Sequence, residues 1–180
     1  MTKGLNEQAE AFRNRELTGE SYPVIWVDAL YEKARYSGRL VSMAIQIVCG
    51  INARGQHEVL AIEPMLEESS VTYGNLFSCL KERGLTGVEL VISDAHSGLN
   101  KAIRESFPGA SWQRCKVHFM RNILAYVSQR DKAAFAASLK LIWQAGDKKA
   151  AQEQVKSLRD RYESKYPKVL RFWITAWRTA

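Results

Sequence analysis

Two aspartates occupy positions where an ionised side chain is costly. Asp28 follows the apolar run Val24–Val27, and Asp94 follows the run Val88–Ser93. A carboxylate at the end of a buried strand is expensive unless it is paired or binds a metal, although a single one could be a cap or turn residue. Two of them on neighbouring strands could hold a divalent cation, because hard cations such as Mg²⁺ prefer oxygen ligands. The pair therefore predicts a site for metal-assisted chemistry on phosphodiesters.

Cationic side chains follow both acids along the chain. Lys33 and Arg35 alternate with small or apolar residues after Asp28, and they could approach phosphates as a point charge and a fork. The alternative for each of them is an ordinary cation in an exposed turn. The further candidates for contact with phosphates come after the second acid, and they are Arg114, Lys116 and Arg121.

The chain has 180 residues and a formal net charge of +7, which is spread unevenly. Residues 1–112 carry 11 Lys and Arg against 14 Asp and Glu, whereas residues 113–180 carry 15 against 5. A basic block of this kind suits a polyanion such as DNA or RNA, and its alternative is a solvated helical surface. Apolar runs far shorter than the ~20 residues of a membrane helix argue against a membrane protein. Three cysteines are too few for a disulfide framework, which favours a reduced, cytoplasmic setting.

Apolar spacing predicts the elements that must position these residues. We interpret residues 1–21 as a polar linker or tail, with a short helix over Asn6–Arg15 as an option. For residues 22–129 we predict a core of three leading strands followed by alternating helices and strands. Residues 130–180 predict basic helices only. The predicted strands are Tyr22–Leu30, Leu40–Ile51, Gln56–Glu63, Gly87–Ser93 and Ser111–Val117. The predicted helices of the core run from Ser69 or Ser70 to about Arg83, and over Leu99–Phe107 and Phe119–Val127.

This order of elements describes an α/β fold, with a mixed sheet and helices on its faces. It is the order found in ribonuclease H-like nucleotidyl transferases. We therefore predict a ribonuclease H-like mixed sheet flanked by helices, followed by part of an all-helical domain. In that fold the strands that carry Asp28 and Asp94 lie side by side.

The segment Asp94–His118 carries an acid, a glycine–aliphatic pair, an aromatic–proline pair, a glutamine, and a cysteine and a histidine separated by two residues. This pattern resembles the hallmark of Mutator-type transposases of bacterial insertion sequences. Asp28 with the trailing Lys33 and Arg35 is similar to the first acidic motif of that family. The matched positions of the hallmark are Asp94, Gly98, Leu99, Phe107, Pro108, Gln113, Cys115 and His118.

The resemblance implies a DDE transposase in which Asp28 and Asp94 are catalytic and metal-binding residues. Such an enzyme uses two Mg²⁺ or Mn²⁺ ions to hydrolyse DNA at the ends of the element and to transfer strands into target DNA. The implied partners are terminal-repeat DNA, target DNA and further copies of the enzyme, at the nucleoid of a bacterial cytoplasm. Lys132–Thr179 resembles part of the helical insertion that separates the second acid of this family from the third.

The third acid of the family has no match in this chain. Glu153, Asp160 and Glu163 are better explained as surface pairs on a helix. We therefore expect a truncated transposase that is inactive or incomplete by itself. The alternative from another class is a catalytically dead DNA-binding module. A ribonuclease H-like nuclease acting on RNA is a third alternative, against which the Cys–His motif and the helical tail argue.

Cys115 and His118 form only half of a zinc site, because zinc usually takes four ligands. The other cysteines and histidines are scattered, so we expect no structural zinc. On the predicted strand Ser111–Val117, the side chains of Gln113, Cys115 and Val117 would share one face. His96 either approaches the metal site or is an exposed loop histidine.

Overall fold

The computed structural model describes residues 2–171, and for residues 2 and 3 only the backbone. The chain forms two compact units, which divide between Arg114 and Cys115. This division comes earlier than the predicted boundary at residue 130. The predicted helical segment Lys132–Thr179 lies partly outside the described residues, and residues 167–171 are helical. No helix in the described part of the chain is long and apolar enough to cross a membrane.

The first unit contains a five-stranded sheet and three helices. Its sheet has the order β3-β2-β1-β4-β5. The strands are β1 (Val24–Tyr36), β2 (Arg39–Ile51), β3 (His57–Met65), β4 (Leu90–Ser93) and β5 (Ser111–Arg114), and the helices are α1 (Thr2–Arg13), α2 (Ser70–Glu82) and α3 (Ser97–Ser106).

Strand directions confirm the predicted ribonuclease H-like mixed sheet. β1, β2 and β3 are antiparallel neighbours, and β4 and β5 continue the sheet parallel to β1. Each parallel step needs a crossover, which α2 and α3 supply between successive strands. β1, β4 and β5 therefore run in the same direction, and β4 and β5 end at the same edge of the sheet.

One face of the sheet forms the core with α2 and α3. Ile25, Val27 and Val48 alternate with less buried residues on their strands and are at most 2% exposed. The apolar residues of α2 recur at helical spacing, so that one stripe of the helix covers the sheet. The buried residues of the two helices are Tyr73, Leu76, Phe77 and Leu80 on α2, and Leu99, Ala102 and Ile103 on α3.

The predicted linker of residues 1–21 is folded in the structure. It begins with α1, and Leu17 and Tyr22 then join the core with 3% and 2% exposure. The Leu17 amide donates to the Arg83 carbonyl, and the Arg83 guanidinium donates to the carbonyls of Arg15 and Leu60 at 2.8 and 2.9 Å. The packing of Leu17 and Tyr22 could not be predicted from the sequence, because these apolar residues are isolated among polar ones.

β1 is longer and β5 is shorter than predicted. The prediction ended the first strand at Leu30, but β1 continues to Tyr36 because β2 provides ladder partners over its whole length. The two strands join through Ser37 and Gly38, whose φ angles of 49° and 76° suit a tight hairpin turn. The prediction extended the fifth strand to Val117, whereas β5 ends at Arg114.

The second unit is helical from its first residues. Its apolar core is formed around Phe119, Ile123, Phe135, Leu139 and Leu158. Within the described residues its helices include α4 (Lys116–Ala125), α5 (Gln129–Trp143) and α6 (Lys148–Tyr162). The side chain of Asp147 caps α6 by accepting from the Ala150 amide at 2.7 Å.

Candidate active site

Asp28 and Asp94 occupy equivalent positions on adjacent parallel strands. The last pair in register between β1 and β4 is Val27 with Ser93, and each aspartate is the residue that follows in the chain. Neighbouring strands lie about 4.8 Å apart, so the two backbones bring the carboxylates into one region. Asp28 is exposed and Asp94 is half-buried. The predicted juxtaposition is therefore present, although Asp28 lies within β1 rather than at its end. It marks instead the point where β1 loses β4 as a partner.

Hydrogen bonds from nearby backbone amides orient the two carboxylates. Asp28 Oδ1 accepts from the Ala29 amide at 2.8 Å, and Asp94 Oδ1 accepts from the His96 amide at 3.0 Å. His96 is the N-cap of α3, because its Nδ1 accepts from the Leu99 amide at 3.4 Å. The loop after β4 thus binds its own acid and begins the next helix within three residues.

Gly98 allows this loop to pack closely. A Cβ atom at this position would lie 3.1 Å from the Ser70 amide nitrogen and 3.2 Å from His96 Cε1. Ser70 begins α2, so the glycine lets the first turns of α2 and α3 approach each other beside Asp94. The glycine of the sequence motif therefore has a steric role.

A further acidic residue near the site, Glu68, escaped the sequence analysis. Glu68 precedes α2 and accepts hydrogen bonds from the hydroxyls of Tyr31 and Tyr73 and, at 3.0 Å, from Gln46 Nε2. Gln46 and Tyr73 are each 1% exposed. The ring centroid of Tyr73 is 5.8 Å from that of His96. The one sequence signal was a glutamine among the apolar residues of β2, which needs a polar partner when buried.

Charge and burial change the pKa values of this cluster. Burial alone would raise the pKa of Glu68, but hydrogen bonds from Tyr31, Tyr73 and Gln46 and the charge of His96 together lower it. The hydrogen bond to Glu68, with burial, raises the pKa of Tyr31 to about 12. Burial first, and then the bond to Glu68, raises the pKa of Tyr73. The carboxylate is thus held ionised by neutral phenols.

The strand neighbours of Asp94 are also tied to it. Ser93 is buried, and its Oγ accepts from Trp112 Nε1 at 2.9 Å and donates to the Asp94 carbonyl at 2.9 Å. Arg114 pairs with Ser93 across β4 and β5. Burial lowers the pKa of Arg114, while the nearby charge of Asp94 opposes this shift. Of the predicted DNA-binding cations, Arg114 is the one that β5 brings toward Asp94.

The other predicted cations are distributed differently. Lys33 and Arg35 are exposed on the outer half of β1, where they lie five and seven residues beyond Asp28. At about 3.4 Å per residue they stand about 17 and 24 Å away along the strand. Lys116 and Arg121 are exposed on α4, in the second unit. The structure therefore does not gather Lys33 and Arg35 around the Asp28 carboxylate.

The motif residues after α3 fall at the ends of elements. Pro108 is exposed directly after the C-cap residue of α3, and Gln113 is exposed on β5. Cys115 is the N-cap residue of α4, and His118 lies in the first turn of that helix. The prediction that Gln113, Cys115 and Val117 share a strand face is wrong, because the backbone turns into a helix at Cys115.

The donor set suits a divalent cation in part. Asp28 and Asp94 offer hard oxygen ligands, and Mg²⁺ commonly takes one or two carboxylates plus water and phosphate oxygens. Among residues 2–171, no group of three or more His, Cys, Asp or Glu side chains is arranged to hold a metal. Two carboxylates match the number that one Mg²⁺ ion commonly takes, and a second ion would need another acid.

Comparison with known proteins gives a consistent result. A family model described as "Transposase, Mutator family" matches residues 1–180. The chain is 39% identical over 170 residues to the transposase for insertion sequence element IS256 in transposon Tn4001 of Staphylococcus aureus, covering 93% of this chain and 44% of the relative. It is 36% identical over 176 residues to the transposase for IS1081 of Mycobacterium tuberculosis, covering 98% of this chain and 42% of the relative.

Among solved structures, the catalytic core domain of HTLV-2 integrase in complex with magnesium aligns with 81% of this chain and 86% of its own, at a TM-score of 0.37 and 10% identity.

The chain spans less than half the length of the two transposases named above. The match of the family model and the 39% identity cover nearly all of the chain, including both acidic motifs. The chain therefore belongs to the Mutator family of transposases.

Proposed function

We propose that this chain contributes to the cleavage and strand transfer of DNA at the ends of an insertion sequence. The observation that carries the proposal is the register of β1 and β4, which places Asp28 and Asp94 side by side. The relatives are named as transposases for insertion sequence elements, which supports DNA as the substrate. We also propose that the complete protein acts as a multimer on paired ends.

The chain's own residues would prepare the site in distinct ways. Asp28 and Asp94 would hold a divalent cation, Mg²⁺ or Mn²⁺, which when bound polarises a phosphodiester and lowers the pKa of water or of a hydroxyl nucleophile. The His96 amide keeps one oxygen of Asp94 oriented, at 3.0 Å. Arg114, half-buried next to the strand of Asp94, supplies positive charge for a phosphate.

A site with two carboxylates is incomplete for two-metal chemistry. Paired ions about 3.5–4 Å apart need a bridging carboxylate and others on the flanks. The described residues group no third acid with Asp28 and Asp94. We therefore propose that this chain by itself binds Mg²⁺ or Mn²⁺ weakly and cleaves DNA poorly or not at all.

Metal binding tests the role of the two aspartates. Titration with Mn²⁺, followed by loss of the electron paramagnetic resonance signal of the free ion, should show one weak site. Asp28→Asn and Asp94→Asn should each weaken it about tenfold or more, since each removes one of two charged ligands. Asp160→Asn, at an exposed position of α6, is the matched control and should leave the affinity unchanged. Equal Mn²⁺ affinity of all four proteins would exclude the proposed site.

Nicking of terminal-repeat DNA tests the proposed incompleteness. With Mg²⁺ or Mn²⁺ the chain should produce little or no cleavage. Robust metal-dependent nicking that is lost in Asp94→Ala would show that two carboxylates suffice, and would contradict the proposal.

A DNA-binding module without cleavage activity is the second candidate function. Its support is the charge of residues 113–180, which carry 15 Lys and Arg against 5 Asp and Glu. Lys116 and Arg121 on α4 belong to this basic part of the chain. Binding without nicking, together with Mn²⁺ affinity that does not depend on Asp28 or Asp94, would favour this candidate.

A further inference from the structure

The hairpin of β1 and β2 extends past the rest of the sheet. β4 pairs with β1 only over Val24–Val27, and β3 pairs with β2 only over Ala44–Ile51. Residues 32–43, here called the arm, therefore form a two-stranded ribbon. Within the described part of the chain, no strand pairs with the outer edges of the arm.

The arm has a net positive charge, with at least one cation on each face. It carries Lys33, Arg35 and Arg39 against the single acid Glu32, and all four side chains are exposed. Because side chains alternate along a strand, Lys33 and Arg35 share one face. Arg39, opposite Tyr36 in the ladder, lies on the other. None of the three cations forms an ion pair or side-chain hydrogen bond with a residue that the structure describes.

We propose that the arm binds the phosphate backbone of duplex DNA through Lys33, Arg35 and Arg39. The proposal rests on the proposed function and names a surface for its substrate. The major groove of DNA admits a two-stranded β-ribbon, and cations on the two faces of such a ribbon meet the phosphates that border the groove. Tyr36 and Leu40, 51% and 66% exposed at the tip, add apolar contact with sugars.

The base of the arm is fixed beside the candidate active site. Tyr31, the residue before the arm, donates its hydroxyl to Glu68, whose other partners Gln46 and Tyr73 are buried. Arg35 lies seven residues beyond Asp28, which is about 24 Å along an extended strand. A DNA strand advances about 3.4 Å per nucleotide, so one bound strand reaches both residues within about seven nucleotides. Phosphate contacts of this kind position DNA and do not read its sequence.

Salt-dependent DNA binding by the chain tests the arm. The variant Arg35→Gln/Arg39→Gln is compared with the matched control Lys101→Gln/Arg104→Gln, which removes two exposed cations from α3. Fluorescence anisotropy with a labelled duplex of arbitrary sequence gives the dissociation constant at a series of salt concentrations. The arm variant should bind about tenfold more weakly or worse, and its logarithmic salt slope should be shallower by about 2, because each lost phosphate contact removes about 0.9. The control should stay within about twofold of the wild-type affinity.

A second variant separates charge from folding. Arg35→Lys/Arg39→Lys keeps both charges and should retain most of the salt slope. If the glutamine variant keeps the wild-type salt slope, the proposal for the arm is overturned. An equal loss of DNA affinity in the control Lys101→Gln/Arg104→Gln would also overturn it. Charges on a free edge can also serve to prevent strand pairing between molecules. Self-association of the glutamine variant in sedimentation, with unchanged affinity per monomer, would assign the cations to that role and overturn the proposal.

The DNA binding of the wild-type protein distinguishes failure of the proposal for the arm from failure of the proposed function. If the wild-type chain binds DNA with a salt slope that the arm variant leaves unchanged, the proposal that the arm binds DNA is wrong and the proposed function stands. If the wild-type chain shows no salt-dependent binding to DNA, the proposed function fails and the arm fails with it.

Discussion

Glu68 accepts a hydrogen bond from the hydroxyl of Tyr31, and this bond joins the segment before α2 to the strand that carries Asp28. The two residues are 37 positions apart in the sequence. Through its other partners, Tyr73 and Gln46, Glu68 also fastens the buried side of β2 to α2. One carboxylate thus ties together two strands and a helix next to the candidate active site.

Replacement of this carboxylate should change how stability depends on pH. The pKa of Glu68 in the folded protein lies below its usual 4.5, so its ionised form favours folding. This stabilisation is fully present above about pH 4.5 and is lost as the pH falls through the lowered folded-state pKa. Glu68→Gln replaces charge-assisted hydrogen bonds with neutral ones and should cost about 1–2 kcal/mol at pH 7.

Chemical denaturation of Glu68→Gln at several pH values measures this difference. The gap between variant and wild type should shrink as the solution becomes more acidic. Glu67→Gln, at the exposed neighbouring position, is the control and should show no such gap. A gap that is equally large in acid and at neutral pH would show that the charge of Glu68 is not the cause.

Tyr31 should ionise late. Its pKa is raised to about 12 by the hydrogen bond to Glu68, by burial and by the nearby charges of Glu68 and Asp94. Titration by the ultraviolet absorbance of tyrosinate should therefore lose a component near pH 12 in Tyr31→Phe. In Glu68→Gln the same component should move toward the ordinary value of 10. An unchanged titration curve in both variants would contradict the assigned hydrogen bond.

Gly98→Ala should destabilise the first unit, although alanine favours helices. The added Cβ would lie 3.1 Å from the Ser70 amide nitrogen, which belongs to the backbone and cannot easily move. We expect a loss of about 1 kcal/mol, in which crowding exceeds the gain of up to about 1 kcal/mol in helix propensity.

Gly74→Ala is the matched control for this substitution. Gly74 lies within α2, and a Cβ at that position meets nothing within 4 Å. The substitution should stabilise the protein by up to about 1 kcal/mol, since alanine replaces glycine in an open helical position. Thermal denaturation of both variants checks the signs, and stabilisation by both would show that the helices can separate at no cost.

Asp131 should make the stability of the second unit depend on pH in the acidic range. Hydrogen bonds from Lys165, then Tyr166 and Ser128, lower the pKa of its carboxyl to about 2. A lowered folded-state pKa means that the stabilisation is complete above the ordinary value of 3.8 and disappears as the pH falls toward 2. Asp131→Asn should therefore lower the melting temperature at neutral pH, and this difference should vanish in strong acid.

The exposed Asp160→Asn on α6 is the control for that measurement. It should leave the melting temperature unchanged over the whole pH range. A difference for Asp131→Asn that persists at pH 2 would point to lost packing and not to lost charge.

The sequence by itself determined the order of strands and helices, because apolar periodicity is a local property. The sequence also identified Asp28 and Asp94 as candidate site residues, since a carboxylate that follows an apolar run can be recognised without knowledge of the fold. The helix predicted from Ser69 or Ser70 is present with its capping box, in which Ser69 and Thr72 bond reciprocally to each other's amides. Capping residues can be found in this way because their partners lie within one turn.

Only the tertiary structure decided what surrounds those acids. The length of β1 depends on β2, whose ladder keeps residues 31–36 extended despite their polar composition. Glu68 resembles a surface residue in a polar run, and its partners come from β1, β2 and α2. The alignment of Asp28 with Asp94 depends on a parallel register between strands more than 60 residues apart. These relationships join distant parts of the chain, so the folded backbone creates them and local pattern does not.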